Sequence, residues 1–82
     1  MVRIRAVEPL EDHKVLLHFT NGTSRVVDLT RFLYGPIFEP VRNDPEFFRS
    51  VYVDERVGTI VWPNGADICP DVLYHDLPLA TE

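Results

Sequence analysis

The side chains able to do chemistry gather in one stretch near the end of the chain: Trp62, Asn64, Asp67, Cys69, Asp71, Tyr74 and His75. Cys69 and His75 are the only Cys–His neighbours. Thiol catalysis needs an activated sulfur beside a base, and Cys69, set before Pro70 in an apolar context, reads instead as a small core residue. Asp71 and His75 stand at i and i+4, so one helical face could present both, with Asp67 and Cys69 nearby. No second His or Cys lies at a zinc spacing. A solvated acidic turn is therefore expected, and no metal. The four glycines are isolated and form no phosphate-cradling loop. Glu11-Asp12 and Asp54-Glu55 fall in turn-like sequence and read as solvated. His13 and His18 lack partners in the local sequence. Tyr52 and Trp62 lie among acids, whereas RNA-binding sheets set aromatics beside basic residues. No catalytic residues and no cofactor are expected. What remains is recognition. Trp62, Asn64, Asp67, Asp71 and Tyr74 could form a binding rim, with Tyr34 as a further aromatic anchor. The plainer reading makes Trp62 a core anchor, Asn64-Gly65 a turn, and Asp67 a turn or capping group.

These residues need elements to hold them. Ile60, Val61 and Trp62 suit a half-buried strand. Asn64-Gly65 signals a hairpin turn, with Ala66 to Ile68 returning. Pro63 cannot donate to a ladder and belongs at a rim. Pro70 can open a helical turn, with Asp71 near its positive end and Val72, Leu73 and Tyr74 packing back.

Upstream, residues 2–7 alternate, with Val2, Ile4 and Ala6 set against Arg3 and Arg5. Glu8 to His13 breaks that strand with Pro9 and charge. Lys14 to Thr20 is a second strand, Val15, Leu17 and Phe19 on one face and Leu16 and His18 on the other, so a central position is expected. Asn21-Gly22 turns the chain into Thr23 to Asp28. Asp28 or Thr30 can cap a short helix carrying Leu29, Phe32 and Leu33. Pro36 can open the next turn, with Ile37, Phe38 and Val41 inward and Pro40 keeping it short. Asp44, Pro45 and Glu46 mark another helix start, with Phe47 and Phe48 as its apolar face. Ser50 to Asp54 and Thr59 to Trp62 are the last strands. The expected architecture is α+β: a small, mostly antiparallel sheet of about five or six short strands, with two or three short helices on one face. Residues 1–76 form the domain and 77–82 a loosely held tail. A local echo links Phe19-Thr20-Asn21-Gly22 to Trp62-Pro63-Asn64-Gly65.

The chain has 82 residues, one domain's worth, and a net charge of −5 from 13 acidic and 8 basic residues. A domain this small is marginal alone, and a homodimer would bury more. The acidic balance argues against direct nucleic-acid or anionic-membrane binding. A single Cys precludes an intramolecular disulfide and suits a reducing compartment. The N-terminus lacks an apolar signal core, and no run approaches the roughly 18 apolar residues of a membrane span. A cytoplasmic protein is the expectation.

The order of these segments resembles a known family. Val27-Asp28-Leu29, Gly35-Pro36-Ile37-Phe38-Glu39-Pro40-Val41, Val51-Tyr52-Val53-Asp54, and above all Trp62-Pro63-Asn64-Gly65-Ala66-Asp67 with Leu73-Tyr74, resemble the bacterial family of domain of unknown function 2442. The resemblance covers nearly the whole chain and implies no catalytic residues. It implies context: a small protein partner encoded nearby, an arrangement like that of toxin–antitoxin pairs, and in some members an attached helix-turn-helix segment, which these 82 residues do not contain. The expected function is a non-enzymatic protein-interaction module, the acidic member of such a pair. The alternative is a small-ligand- or metal-binding domain with weak enzymatic activity using the stretch from Trp62 to His75.

Overall fold

The computed structural model describes residues 2–75. The expected tail, residues 77–82, lies outside them.

Among the described residues five strands form two antiparallel sheets, and short helical segments complete an α+β fold. Strands β1 (Ile4–Pro9), β2 (Lys14–Phe19) and β3 (Ser24–Asp28) make one sheet in that order, with β2 central as its two-sided pattern implies. Val15, Leu17, Phe19 and Val27 point into the core, while Leu16 and His18 are half-buried on the outer face. Strands β4 (Tyr52–Asp54) and β5 (Thr59–Val61) form the second sheet. The backbone N–H of Ile4 donates to the Gly58 carbonyl at 2.9 Å, which ties β1 to the β4–β5 turn.

Strand β1 departs from simple alternation. Ile4 pairs with Phe19 but Ala6 pairs with His18, so Arg5 is an extra, bulged residue. The bulge resets the pleat: Val7, opposite Leu17, packs on the core, and Ala6 moves to the outer face. Pro9 does not break the strand but ends it, paired with Val15.

The two Asn-Gly turns share one construction. Gly22 donates to the Phe19 carbonyl at 3.1 Å, and Phe19 donates to Thr23 at 2.9 Å. Gly65 donates to Trp62 and Trp62 donates to Ala66, both at 2.9 Å. Gly22 and Gly65 have φ of +88° and +92°, whereas neither Asn has positive φ. These are three-residue loops closed by a left-handed glycine, so the echo in the sequence is an echo in geometry. The second loop leads into less strand than expected. Only a single Val61–Asp67 bridge forms. The Ile68 carbonyl accepts the buried Thr59 hydroxyl instead, and Pro70 already opens a helix.

Between the sheets run two 3₁₀ turns (Thr30–Phe32 and Pro36–Phe38) and helices α1 (Glu39–Asn43), α2 (Pro45–Arg49) and, at the end, α3 (Pro70–His75). Asp44 caps α2, accepting the Glu46 and Phe47 amides, with Pro45 in the first turn. Pro40 sits in the first turn of α1 and starts that helix where the sequence reading had it stop one. Leu29, Phe32, Leu33, Val41, Phe48 and Leu73 are buried in one core cluster with Val15, Leu17, Phe19 and Val27 of the three-stranded sheet and Ile60 of the second. Ile37 does not: it is 49% exposed, because its 3₁₀ turn presents Ile37 outward and Phe38 inward against Trp62.

Trp62 is the centre of the core. It is fully buried, and its indole N–H donates to the Phe48 carbonyl at 3.1 Å. Phe38 meets the ring edge-on at a centroid distance of 6.0 Å, and Phe48 lies tilted at 6.3 Å.

Candidate functional site

A groove of about 260 Å³ opens between two loops. One wall is the segment after β3. The Arg42 guanidinium donates to the carbonyls of Leu33 at 2.8 Å and Gly35 at 3.0 Å, which straps this segment down on both sides of Tyr34. Tyr34 is thereby held outward, 65% exposed. The other wall is the segment after the Trp62–Gly65 loop. Asn64 joins the two: its Nδ2 donates to the Ile37 carbonyl at 2.8 Å, and its Oδ1 accepts the Ala66 amide at 3.1 Å. Phe32 and Ile68 form a buried floor, Phe38 and Val72 the flanks, and Tyr34, Asp67 and Cys69 an exposed rim.

The residues singled out from sequence therefore separate. Tyr34 and Asp67 come together in the groove. Asn64 braces it from behind. Trp62 is withdrawn from the surface and backs the groove through Phe38. Asp71 is exposed on the first turn of α3, next to the groove residue Val72. Tyr74 belongs elsewhere: it packs edge-on against Phe19 at 5.0 Å, its hydroxyl accepts from Asn21 Nδ2 at 3.1 Å, and it lines a different hollow with His75, Thr23 and Ser24.

Cys69 is exposed, not a small core residue: the chain leaves the core between Ile68 and Pro70 and turns the thiol out. It lines one hollow and His75 the other, so no thiol–imidazole pair forms. Among the described residues no group of three or more His, Cys, Asp or Glu side chains could hold a metal ion. The ligand- or metal-binding alternative required Trp62, Asp67, Asp71 and His75 to converge, and the fold spreads them.

A larger hollow of about 460 Å³, which sequence reasoning missed, lies between the β1–β2 turn and helices α1 and α2. Asp12 and His13 both have positive φ, +58° and +64°, so this turn places two ordinary residues where Asn-Gly is the usual choice. His13 Nε2–H donates to the Arg42 carbonyl at 2.9 Å, and its ring meets Phe48 edge-on at 5.3 Å. That contact holds the turn against the helices. Nothing in the local sequence signals it, because the partner lies 29 residues away.

Among the described residues two carboxyls, Asp28 and Asp54, are held below the usual carboxylate range, and both serve their own turns. The Thr30 hydroxyl and amide both donate to Asp28. The Arg56 side chain and amide do the same for Asp54. Neither carboxyl lines the groove.

The fold and the site together define a small α+β domain with a shallow apolar groove edged by tyrosine and aspartate. Among the described residues, no helix is long and apolar enough to cross a membrane. The chain belongs to the family described as "Protein of unknown function (DUF2442)", which it matches over residues 4–78. No curated protein and no solved structure matches it. The Trp-Pro-Asn-Gly-Ala-Asp segment, the most specific part of that resemblance, supplies mostly framework: a core anchor, a brace, a left-handed glycine and a buried alanine. Only Asp67 among these lines the groove.

Proposed function

We propose that this domain is a protein-interaction module whose contact surface is the Tyr34–Asp67 groove. Its partner is a small, basic protein, and the chain is the acidic member of a two-protein system like a toxin–antitoxin pair. The observation that carries the reading is the pairing of an apolar, aromatic-walled groove with exposed acids. Tyr34 on one wall is 65% exposed, Asp67 is exposed on the opposite rim, and Asp71 is exposed next to the groove residue Val72. Tyrosine is a favoured interface anchor, and aspartates around an apolar centre select a basic side chain. A partner would seat an aliphatic or aromatic side chain on Phe32 and Ile68 while an Arg or Lys meets Asp67. The chain's charge of −5 favours the encounter.

Copurification of tagged chain from its native host tests this. A second small basic protein should be recovered in fixed ratio. Tyr34→Ala should weaken the complex by ~30-fold or more if Tyr34 is an anchor worth ~2 kcal/mol, and Asp67→Lys should abolish it, both without loss of fold. Recovery of the chain alone, or a complex indifferent to both substitutions, overturns the reading.

A further inference from the structure

Strand β3 is an outer strand of the three-stranded sheet, and among the described residues no strand pairs with its far side. The other outer strand, β1, is tied to Gly58. In the β2–β3 ladder Leu17 faces Arg25 and Val15 faces Val27, and the bonds just beyond the strand, Phe19 to Thr23 and Leu29 to His13, fix the phase of the pairing. The N–H and C=O groups of Arg25 and Val27 therefore point toward β2, and those of Ser24, Val26 and Asp28 point away from the sheet. Among the described residues these outward groups have no backbone partner. Natural edges are commonly blunted by proline, lysine, a bulge or a covering element. Strand β3 carries no proline and no lysine, its charged residues Arg25 and Asp28 stand to either side of the middle, its ladder is regular, and Val26 at its middle is 54% exposed.

We infer that β3 pairs with β3 of a second copy, antiparallel about Val26, to make a continuous six-stranded sheet. The register follows from which groups face outward. Only Ser24, Val26 and Asp28 can bond across, and aligning 26 with 26 and 24 with 28 uses all of them, about six backbone bonds. A shift by two residues in either direction sacrifices a pair.

The side chains agree with that register and with a second copy as the occupant. On the outer face Leu16 stands opposite Val26. Pairing therefore sets Leu16, Val26, Val26 of the second copy and its Leu16 in one apolar row. The next row is polar and alternates. His18 bonds the Ser24 hydroxyl at 2.8 Å, Ser24 meets Asp28 of the second copy, and that carboxylate stands beside its own Lys14, its partner in the β2–β3 register. The two-fold repeats this row on the other side of Val26. A hydroxyl faces a carboxylate and no like charges stand opposed, so the edge complements itself. This surface is separate from the Tyr34–Asp67 groove and does not depend on it.

The test is sedimentation equilibrium or native mass spectrometry of the 82-residue chain across a concentration series, with circular dichroism to monitor the fold. The unsubstituted protein should be dimeric. Val26→Lys and Val26→Glu, at a solvent-facing position, should each fold and each be monomeric, since like charges then meet on the two-fold. Mixing the two variants should restore a mixed dimer, because position 26 faces position 26. Tyr34→Ala should leave the dimer intact, which separates this outcome from the groove's. A monomeric unsubstituted chain, a dimer indifferent to Val26→Lys, or no recovery on mixing overturns the proposal.

Discussion

Replacing Trp62 with Phe tests whether this residue is a core anchor. The indole N–H to Phe48 bond lies in the buried core. Losing it leaves the Phe48 carbonyl only the Val51 amide, at 3.4 Å, and the Ser50 amide of the turn, so the loss is that of one ordinary hydrogen bond, about 0.5–1.5 kcal/mol. Exchanging the indole for a phenyl ring opens a void of ~40 Å³, which at ~24 cal/mol per Å³ adds about 1 kcal/mol. Phe38 and Phe48 both lean on the indole ring, so the void has rigid walls and little prospect of collapse. The sum, about 1.5–2.5 kcal/mol, is a substantial part of the ~4–12 kcal/mol expected for a domain of this size. Urea unfolding followed by far-ultraviolet circular dichroism is the assay. With a slope of ~1 kcal/mol per M, the midpoint should fall by about 1.5–2.5 M at unchanged slope. Trp62 is the only tryptophan, so fluorescence excited selectively at the indole reports on it alone: emission of the unsubstituted protein should be blue-shifted when folded and move red across the same transition. A midpoint shift under ~0.5 M would mean that the N–H is not bonded in a dry core, and the placement of Trp62 at the centre of the fold would be refuted.

Other perturbations have comparable force. Asn64→Ala removes both the Ile37 and Ala66 bonds; it should cost ~1–2 kcal/mol and speed amide exchange at Phe38 and Ala66 more than in the three-stranded sheet. Gly58→Ala meets two obstacles, a φ of +73° and an Arg3 side chain against which the new methyl would press. A loss of about 1–2 kcal/mol by thermal unfolding is expected, with the Arg3 bonds to the Glu55 and Arg56 carbonyls displaced. Asp28 contributes to the pH dependence: its folded value lies below the ordinary 3.8 because Thr30 donates to the carboxylate. Its contribution to stability is therefore complete above 3.8 and is lost as pH falls through the depressed folded value. Thr30→Val should raise the Asp28 value toward 3.8 in a carboxyl-carbon NMR titration and shrink the acid-side loss.

Much of the fold was legible because it rests on local rules. The period-2 pattern of residues 14–28, the Asp44-Pro45 helix start, the Leu29–Phe32–Leu33 spacing and both Asn-Gly turns each encode their own geometry over a few residues. The two-sided pattern of β2 was enough to make it central. The places that escaped depend on partners distant in sequence. The bulge at Arg5 follows from how β1 must meet β2, and one inserted residue exchanged the faces of Ala6 and Val7. The left-handed pair Asp12-His13 is held by Arg42 and Phe48, which no local preference for asparagine and glycine would foretell. Ile37 reads as core by type, yet its turn sends Phe38 inward in its place.

By itself, the sequence determined an acidic α+β domain with a central hairpin, a buried aromatic core and no local catalytic motif, because composition and short-range periodicity carry those properties. Only the tertiary structure decided which of the marked residues stand together. Tyr34 and Asp67 are 33 positions apart in number yet share a groove, whereas Asp67 and Tyr74 are seven apart and do not. The reason is physical: one helical turn from Pro70 carries the chain across the core, burying Leu73 and delivering Tyr74 to Phe19 and Asn21. Asn64 meanwhile reaches back to Ile37 and closes the groove from the other side.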